Sequence, residues 1–324
     1  MALTRRSLVG SAAALATAAL ARPAAGQGTG PIRMIFPFAP GGGGDGAARF
    51  LADELHKALG EPVIVENRAG ADGRVGVRAV VSSAPDGRTI MLSPFGPVVI
   101  HPSVYPNLPY DPLKDLQPVS QICRIEFAIS TGPMTPAQDL KELVGWLRAN
   151  PDKASFGSPG AGTIPHFSGI LFSGAAKLDL RHVPYRGTSP ALGDLVAGQI
   201  ALASTPASDA GELHKSGKIR MLATSGAARS PFTPDVPTYR EQGFDIEAEG
   251  WYGTYVAAGT PMPIVERYAR IFSEAVRSPE GQKLFANFRL VATGTGPAEL
   301  ARIQQADFRR WAEPIRASGF KPDD

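Results

Sequence analysis

The sequence lacks the cysteines, the histidine spacing and the long apolar runs that mark several common protein classes. Its single cysteine, Cys123, excludes an internal disulfide, and the strand-like context of this residue predicts a small buried side chain. The five histidines show no metal-ligand spacing with one another or with the cysteine, so we expect no metal site. Beyond residue 26, glycine, proline or charge interrupts every apolar run, and none reaches the ~20 residues of a membrane-spanning helix.

The chain also lacks a charge excess once its N-terminal segment is set aside. Residues 1–26 combine a basic start at Arg5 and Arg6 with an Ala/Leu-rich stretch and small residues, the pattern of an export signal of twin-arginine type. Removal of this segment takes away three arginines and no acid, which brings the formal net charge from +3 to zero. We therefore expect a periplasmic protein, exported by the Tat or the Sec route, that binds no nucleic acid.

What is present is a regular alternation of short apolar runs and amphipathic segments. Such alternation is typical of α/β proteins with mainly parallel sheets. A chain of 324 residues is long enough for two lobes with separate cores. Glycine and proline are frequent but are spread among the elements, so they form no low-complexity linker.

The most informative stretch joins a predicted strand to a predicted helix through four consecutive glycines. The strand ends at Phe36, two prolines and Gly41 to Gly44 follow, and Asp45 is expected to cap the helix. Such glycines leave backbone N–H groups uncovered at the positive end of the helix, which suits an anion. A flexible turn is the simpler interpretation, but four glycines between a strand and a capped helix favour a ligand-facing loop.

The same stretch matches a second pattern. Gly41, Gly43 and Gly46 have the spacing of the dinucleotide fingerprint, and Glu66 follows the next strand about where a ribose-binding acid would lie. A run of four glycines produces such a match easily. An exported NAD(P)-dependent oxidoreductase that uses the loop from Gly41 to Gly46 is therefore the alternative function.

Two later loops repeat the arrangement. A short strand ends near Phe156, a glycine-bearing segment begins at Ser158, and Thr163 is expected to cap the next helix. The segment from Tyr185 to Gly187 precedes a third helix start. We expect the first two loops to face one cleft from separate lobes, where backbone N–H groups would hold a carboxylate.

Three side chains at these loops have more than one interpretation. Arg186 suits pairing with a ligand carboxylate, but a solvated loop charge is an equally good explanation. Tyr185 suits stacking on a ligand or donating its hydroxyl. His166 lies one turn inside its helix, where a packed or hydrogen-bonded histidine is more common than a base.

Several motifs of this chain resemble those of the Bug family, the extracytoplasmic solute receptors of tripartite tricarboxylate transporters. Their order and spacing hold from about Pro31 to the C-terminal helix. The matching segments are Pro37–Asp45, Val65–Gly70, Ala84–Gly87, Leu108–Leu116, Ser158–His166, Val183–Ala191, Arg229–Pro231, Pro234–Thr238 and Ala258–Pro261.

The resemblance implies an α/β fold of the two-lobed type II periplasmic binding protein class, with a ligand cleft between the lobes. After the export signal, 1–26, the first lobe would take residues 27–129, the second lobe 130–248, and the return strand and C-terminal helices of the first lobe 249–324. The crossing strands are expected at Glu126–Ser130 and Glu249–Tyr255.

The resemblance also implies a receptor rather than an enzyme, without cofactor or catalytic residues. It would capture a small mono- or dicarboxylate and close by a hinge motion. Its expected partners are the ligand and either membrane permease subunits of a tripartite tricarboxylate transporter or a sensor kinase, and a monomer is expected. The candidate ligand-binding residues are Phe38, Ala39, Gly41, Gly42, Gly43, Gly44, Asp45, Phe95, Gly96, Ser158, Gly160, Ala161, Gly162, Thr163, His166, Tyr185, Arg186, Gly187 and Thr205.

The chain departs from the family pattern where the cleft is expected. Phe95 and the pair Val98 and Val99 stand where small or polar residues are usual, and His101 replaces a common asparagine. The segment 203–206 lacks a common acid. These departures predict a more apolar and less acidic cleft, and hence a monocarboxylate with an apolar or aromatic body, with a dicarboxylate as the alternative.

Overall fold

Two β-sheets and the helices around them make up the described part of the chain. The computed structural model describes residues 30–41, 43–185 and 187–320. The predicted export signal, Gly42 and Arg186 lie outside the described residues. The strands are β1 (Ile32–Phe36), β2 (Val63–Asn67), β3 (Thr89–Pro94), β4 (Leu116–Ile125), β5 (Phe127–Thr131), β6 (Ser155–Ser158), β7 (Arg181–Pro184), β8 (Leu202–Pro206), β9 (Arg220–Thr224), β10 (Gly250–Ala257) and β11 (Val291–Ala292).

Most connections between strands contain a helix. A π-helical turn at Gly96–Ile100 follows β3, and a short turn at Ala71–Gly73 follows β2. The α-helices are α1 (Gly43–Leu59), α2 (Arg74–Val81), α3 (His101–Val104), α4 (Leu140–Ala149), α5 (Ile164–Ala176), α6 (Thr188–Val196), α7 (Ala207–Lys215), α8 (Met262–Arg277), α9 (Pro279–Asn287) and α10 (Pro297–Ala317).

The first sheet has the strand order β11-β4-β10-β3-β1-β2. Strands β2, β1 and β3 run parallel, and β10 is antiparallel to both β3 and β4. Alternate residues point to opposite faces, as the period of a strand requires. In β1, Met34 packs with α1, α8 and α9, while Ile35 packs with α2 and α10 on the other face. Both faces of this sheet are therefore covered by helices.

The second sheet has the order β7-β6-β8-β5-β9. Here β6 is parallel to β7 and β8, and β5 is antiparallel to β8 and β9. The chain enters this sheet between Ile125 and Phe127 and returns to the first sheet at Gly250. Sheet pairing thus changes at Glu126, three residues before the boundary predicted between residues 129 and 130.

One apolar core extends through both sheets. It contains Phe95 and Trp311 from the first sheet's side together with Phe156 and Phe167 from the second. The rings of Phe167 and Trp311 lie 6.2 Å apart, so α5 and α10 touch directly. The two halves of the molecule are therefore in apolar contact next to the crossing strands.

The structure confirms some of the local predictions and contradicts others. Cys123 is fully buried, as predicted, and burial raises the pKa of its thiol. Thr163 caps α5 by accepting a hydrogen bond from the N–H of His166, also as predicted. Asp45 is not an N-cap, because α1 begins two residues earlier, at Gly43. Among the described residues, no helix is both long and apolar enough to cross a membrane.

Candidate functional site

A cavity of about 250 Å³ lies where the two sheets meet. It is bounded by the loop after β3, the start of α5, the crossing strands and the end of the chain after α10. Among the lining residues that the structure describes, Asp72 is the one carboxylate, and most others are apolar. The lining comprises Phe38, Asp72, Pro94–Pro97, Ile100, His101, Val104, Tyr105, Ile125, Phe127, Ala161–Pro165, Gly250 and Phe320.

The loop from Ser158 to Thr163 brings the start of α5 to this cavity. The hydroxyl of Thr163 donates to the carbonyl of Gly160 at 2.7 Å, and the hydroxyl of Ser158 donates to the same carbonyl at 3.0 Å. Ala161 and Thr163 line the cavity, and within the described ranges their backbone N–H groups have no acceptor. Backbone donors at the positive end of a helix can bind an anion here.

Two stacked histidines support this loop from behind. The rings of His166 and His182 lie 3.8 Å apart. Nδ1 of His166 accepts the N–H of Gly162 at 3.1 Å, and Nε2 of His182 lies 2.7 Å from the hydroxyl of Ser158. Burial and the neighbouring His182 lower the pKa of His166 to about 3, and burial lowers the pKa of His182 to about 4. Both rings are therefore neutral near pH 7.

Asp72 and Tyr105, which sequence reasoning missed, form the polar rim of the cavity together with His101. The hydroxyl of Tyr105 donates to Oδ2 of Asp72 at 2.9 Å, and the guanidinium of Arg74 lies 3.7 Å from the Tyr105 ring centre. His101 packs edge-on against Tyr105 at 5.0 Å, and burial lowers the pKa of His101 to about 4. No sequence motif marks Asp72 or Tyr105, because folding alone brings the two loops together.

The first glycine loop contributes less to this cavity than predicted. Phe38 lines it, but Gly43 and Gly44 line a second cavity of about 460 Å³, which is separated from the first by Ile125 and Phe127. That second cavity lies between the starts of α1 and α7. The two glycine loops therefore do not meet in one cavity.

Asp45 acts within its own loop. Its buried carboxylate accepts hydrogen bonds from the N–H of Gly41 at 3.1 Å, from Nδ2 of Asn67 at 2.9 Å and from Nε of Arg49 at 3.0 Å. Burial raises the pKa of this carboxyl, but the hydrogen bonds from Asn67, Arg49 and Gly41 outweigh burial and lower it. Neither the Asp45 carboxylate nor the Gly41 amide faces the cavity.

The remaining predicted residues divide into lining and supporting positions. Lining residues are Phe38, Phe95, Gly96, Ala161, Gly162 and Thr163 in the first cavity and Gly43 and Gly44 in the second. Residues that line neither are Ala39, Gly41, Asp45, Ser158, Gly160, His166, Tyr185, Gly187 and Thr205.

Three of the supporting residues have defined roles. The hydroxyl of Tyr185 donates to Asp194 at 2.8 Å, and its ring lies over Gly157. The N–H of Gly187 donates to the carbonyl of Pro159 at 2.9 Å. Thr205 is fully buried in β8. These residues hold the second sheet and its loops in place.

The predicted apolar departures are only partly in the cavity. Phe95 lines it and packs edge-on against Trp251 at 5.4 Å. Val98 and Val99 are fully buried in the core and do not line it, so this part of the prediction is wrong. His101 does line it.

The profile of a known protein family matches most of this chain. The profile of the tripartite tricarboxylate transporter family receptors matches residues 47–320. The chain belongs to this receptor family. Protein BugT of Bordetella pertussis is 33% identical over 311 residues, which is 95% of each chain. A protein of the tcbD-tcbE intergenic region of Pseudomonas sp. strain P51 is 32% identical over 289 residues, 88% of this chain and 85% of that protein.

Solved structures agree with this assignment. The periplasmic binding protein BugD is 30% identical with a TM-score of 0.75, and it matches 90% of this receptor and 99% of its own chain. An R. palustris protein with adipate is 27% identical with a TM-score of 0.80 (91% and 99% covered), and MatC from Rhodopseudomonas palustris with bound malate is 29% identical with a TM-score of 0.74 (88% and 98%). The predicted α/β periplasmic binding protein fold is confirmed.

Family membership bears on the alternative function as well. The family is one of solute-binding receptors and not of enzymes. The carboxylate of Glu66, which the dinucleotide interpretation would use for a ribose, pairs with Arg33 at 3.0 Å and with Arg68 at 2.8 Å. Gly46 packs under the ring of Phe288. These contacts of Glu66 and Gly46 give the dinucleotide interpretation no support beyond the glycine spacing itself.

Proposed function

We propose that this receptor binds a small carboxylate with an apolar or aromatic body in the cavity between its two sheets. The observation that carries the proposal is the division of the cavity wall. At one side the start of α5 has backbone N–H groups, and most of the remaining wall is apolar. Asp72, His101 and Tyr105 form its polar rim. The N–H groups would bind a carboxylate, and the apolar part of the wall would contact an apolar body.

The carboxylate is expected at Ala161 and Thr163. A helix N-terminus stabilises an anion by about 0.3–1 kcal/mol when exposed and by up to ~2 kcal/mol when partly buried. Neither arginine nor lysine lines the cavity among the residues that the structure describes. The open N–H groups at the start of α5 would bind the carboxylate, and their effect would grow when lobe closure excludes water.

The body of the ligand would contact Phe38, Ile100, Val104 and Phe127. The volume of about 250 Å³ lies below the roughly 300–1,000 Å³ of sites for drug-sized molecules, which favours a compact ligand. A dicarboxylate is the second candidate, because the two R. palustris relatives were solved with malate and with adipate.

Closure would occur about the two crossing segments, between lobes bounded near residues 126 and 249. Arg124 and Glu249 join these segments through an ion pair of 3.2 Å. The hydroxyl of Ser225 accepts the N–H of Phe127 at 2.9 Å and donates to the carbonyl of Ala248 at 2.8 Å. Ligand that touches both lobes would favour the closed state. The closed receptor would then deliver its solute, in the periplasm, to permease subunits of a tripartite transporter.

Thermal unfolding of residues 27–324 with a panel of acids tests the proposal. The panel holds benzoate, phenylacetate, hexanoate, malate, adipate, NAD and NADP. A ligand at about 100 times its dissociation constant adds roughly 2.7 kcal/mol, a shift of a few degrees. Shifts by aromatic or aliphatic monocarboxylates support the proposal. Shifts by malate and adipate alone would replace it with the dicarboxylate candidate, and a shift by a dinucleotide alone would contradict both.

A matched pair of variants assigns the effect to this cavity. Ala161→Phe would fill the anion end of the cavity and is expected to abolish the ligand-induced shift. Ala149→Phe places the same side chain on the exposed end of α4 and should leave the shift intact. Equal shifts in the two variants would place the ligand elsewhere.

A further inference from the structure

The segment from Ser318 to Phe320, after α10, is directed towards the cavity by its own hydrogen bonds. Ser318 donates its N–H to the carbonyl of Pro314 at 3.0 Å, and its hydroxyl accepts the N–H of Phe320 at 3.1 Å. Gly319 between them has a φ of +66°, a conformation that glycine adopts without strain. The position of the Phe320 ring is thus set by a defined turn.

Phe320 follows the last helix of the first lobe, and its ring contacts the Ser158–Thr163 loop of the second lobe. Its ring packs edge-on against His166 at 5.4 Å and against Phe167 at 6.0 Å. It also covers Gly162, where an added Cβ would lie 2.9 Å from the ring. Gly162 itself has a φ of +74° and lines the cavity. The loop that would hold the carboxylate is thus packed directly against this ring.

Phe320 also separates two spaces. On one side lies the cavity of about 250 Å³, and on the other an outer pocket of about 380 Å³. Phe320 and Val104 line both. Ala312 and Arg316 of α10 line the outer pocket alone. Loss of the ring would therefore connect the cavity to additional space along α10.

We propose that Phe320 is a specificity-determining residue that limits the length of the ligand's apolar body. This inference rests on the proposed function, since it assumes that the ligand's carboxylate lies at the start of α5. The body then extends past Val104, which lines both spaces, and the ring of Phe320 closes the outer pocket to it. A shorter side chain at this position admits a longer ligand.

Two truncated chains test the inference with a difference of one residue. One chain ends at Phe320 and the other at Gly319, and Phe320→Ala in the full chain provides a third comparison. Affinities are measured by calorimetry for benzoate, phenylacetate, 3-phenylpropanoate and 4-phenylbutanoate. The chain that ends at Phe320 should keep the wild-type preference. Loss of the ring should raise the affinity ratio of 4-phenylbutanoate to benzoate at least tenfold.

A purely structural role gives a different result. If Phe320 only stabilises the fold, its loss lowers the melting temperature and lowers the affinity for every acid by the same factor. An unchanged ratio therefore overturns the inference, whatever happens to stability. Phe320→Leu should give an intermediate ratio, because leucine fills part of the space of the ring.

A dye measurement separates this inference from the proposed function. If the wild type binds no acid of the series, the proposed function fails, and 1-anilinonaphthalene-8-sulfonate is then used as the probe. The chain that ends at Gly319 should enhance its fluorescence, with far-ultraviolet circular dichroism unchanged, and the chain that ends at Phe320 should not. Equal fluorescence of the two chains overturns the inference about Phe320.

Discussion

At the start of α1, an added Cβ on Gly44 would lie 2.5 Å from the ring of Phe36 and 2.8 Å from the hydroxyl of Tyr252. At the start of α5, the nearest atom to a Cβ on Gly160 is the methyl of Thr163, at 3.4 Å. The first loop needs glycine for close packing of the core. At Gly160 the second loop has room for a side chain, and its amides at Ala161 and Thr163 are open to the cavity. Similar strand–glycine–helix patterns thus pack into the core in one half and leave backbone amides open to a cavity in the other.

The largest effect is expected when the internal support of the first loop is removed. Asp45→Ala leaves the N–H of Gly41 and the amide of Asn67 without their acceptor, and should cost about 3 kcal/mol. Urea unfolding measures this loss. Asp53→Ala removes an exposed carboxylate from the same helix and should change stability by under about 0.5 kcal/mol. Similar values for the two variants would contradict the packing role of the first loop.

The glycines themselves provide the direct comparison. Gly44→Ala should cost about 2 kcal/mol through overpacking against Phe36 and Tyr252, despite the better helix propensity of alanine. Gly160→Ala should be neutral within about 0.5 kcal/mol. Chemical denaturation of both variants measures the difference. A larger loss of stability in Gly160→Ala than in Gly44→Ala would contradict the packing role of the first loop.

The histidines behind the second loop predict a dependence on pH. Their folded pKa values, about 3 and about 4, lie below the ordinary 6.5, so the unfolded chain binds more protons between about pH 6.5 and 4. Stability is therefore lost as pH falls through this window. His182→Gln should reduce the loss between pH 7 and 4.5 by about 1–2 kcal/mol, after allowance for partial exposure. An undiminished loss of stability in this variant would contradict the lowered pKa of His182.

The smallest effect is expected at Tyr185. Tyr185→Phe removes the hydrogen bond to Asp194 and should cost about 1 kcal/mol. It should leave ligand affinity unchanged, because Tyr185 lines neither cavity. Calorimetric titration with a ligand from the panel tests this. A tenfold loss of affinity at unchanged stability would indicate that Tyr185 contacts the ligand and would contradict this prediction.

Local patterns in the sequence predicted the elements well. The apolar pattern of the sequence predicts three helices, at Pro263–Arg277, Pro279–Phe288 and Pro297–Ala317. These bounds differ from those of α8, α9 and α10 by no more than one residue at any end. Apolar periodicity and proline at the first turn are sufficient for this. Thr163 was predictable as a cap for the same reason, since capping depends on neighbours in sequence.

Long-range contacts explain what the sequence could not show. Gly43 and Gly46 pack against Phe288, which follows them by more than 240 positions, and Asp45 depends on Asn67. Phe320 reaches the cavity only because α10 ends beside α5. Which glycine borders a cavity and which packs under a ring is decided by packing partners that no local motif identifies.

The apolar core that contains Phe95, Trp311, Phe156 and Phe167 runs from one sheet into the other. Neither half can lose its structure without exposing part of this core, so the two halves are expected to melt as one cooperative unit. A calorimetric scan should then show a single transition despite the two sheets. Any solute held between the halves will raise the melting temperature of the entire chain, and not that of one half alone.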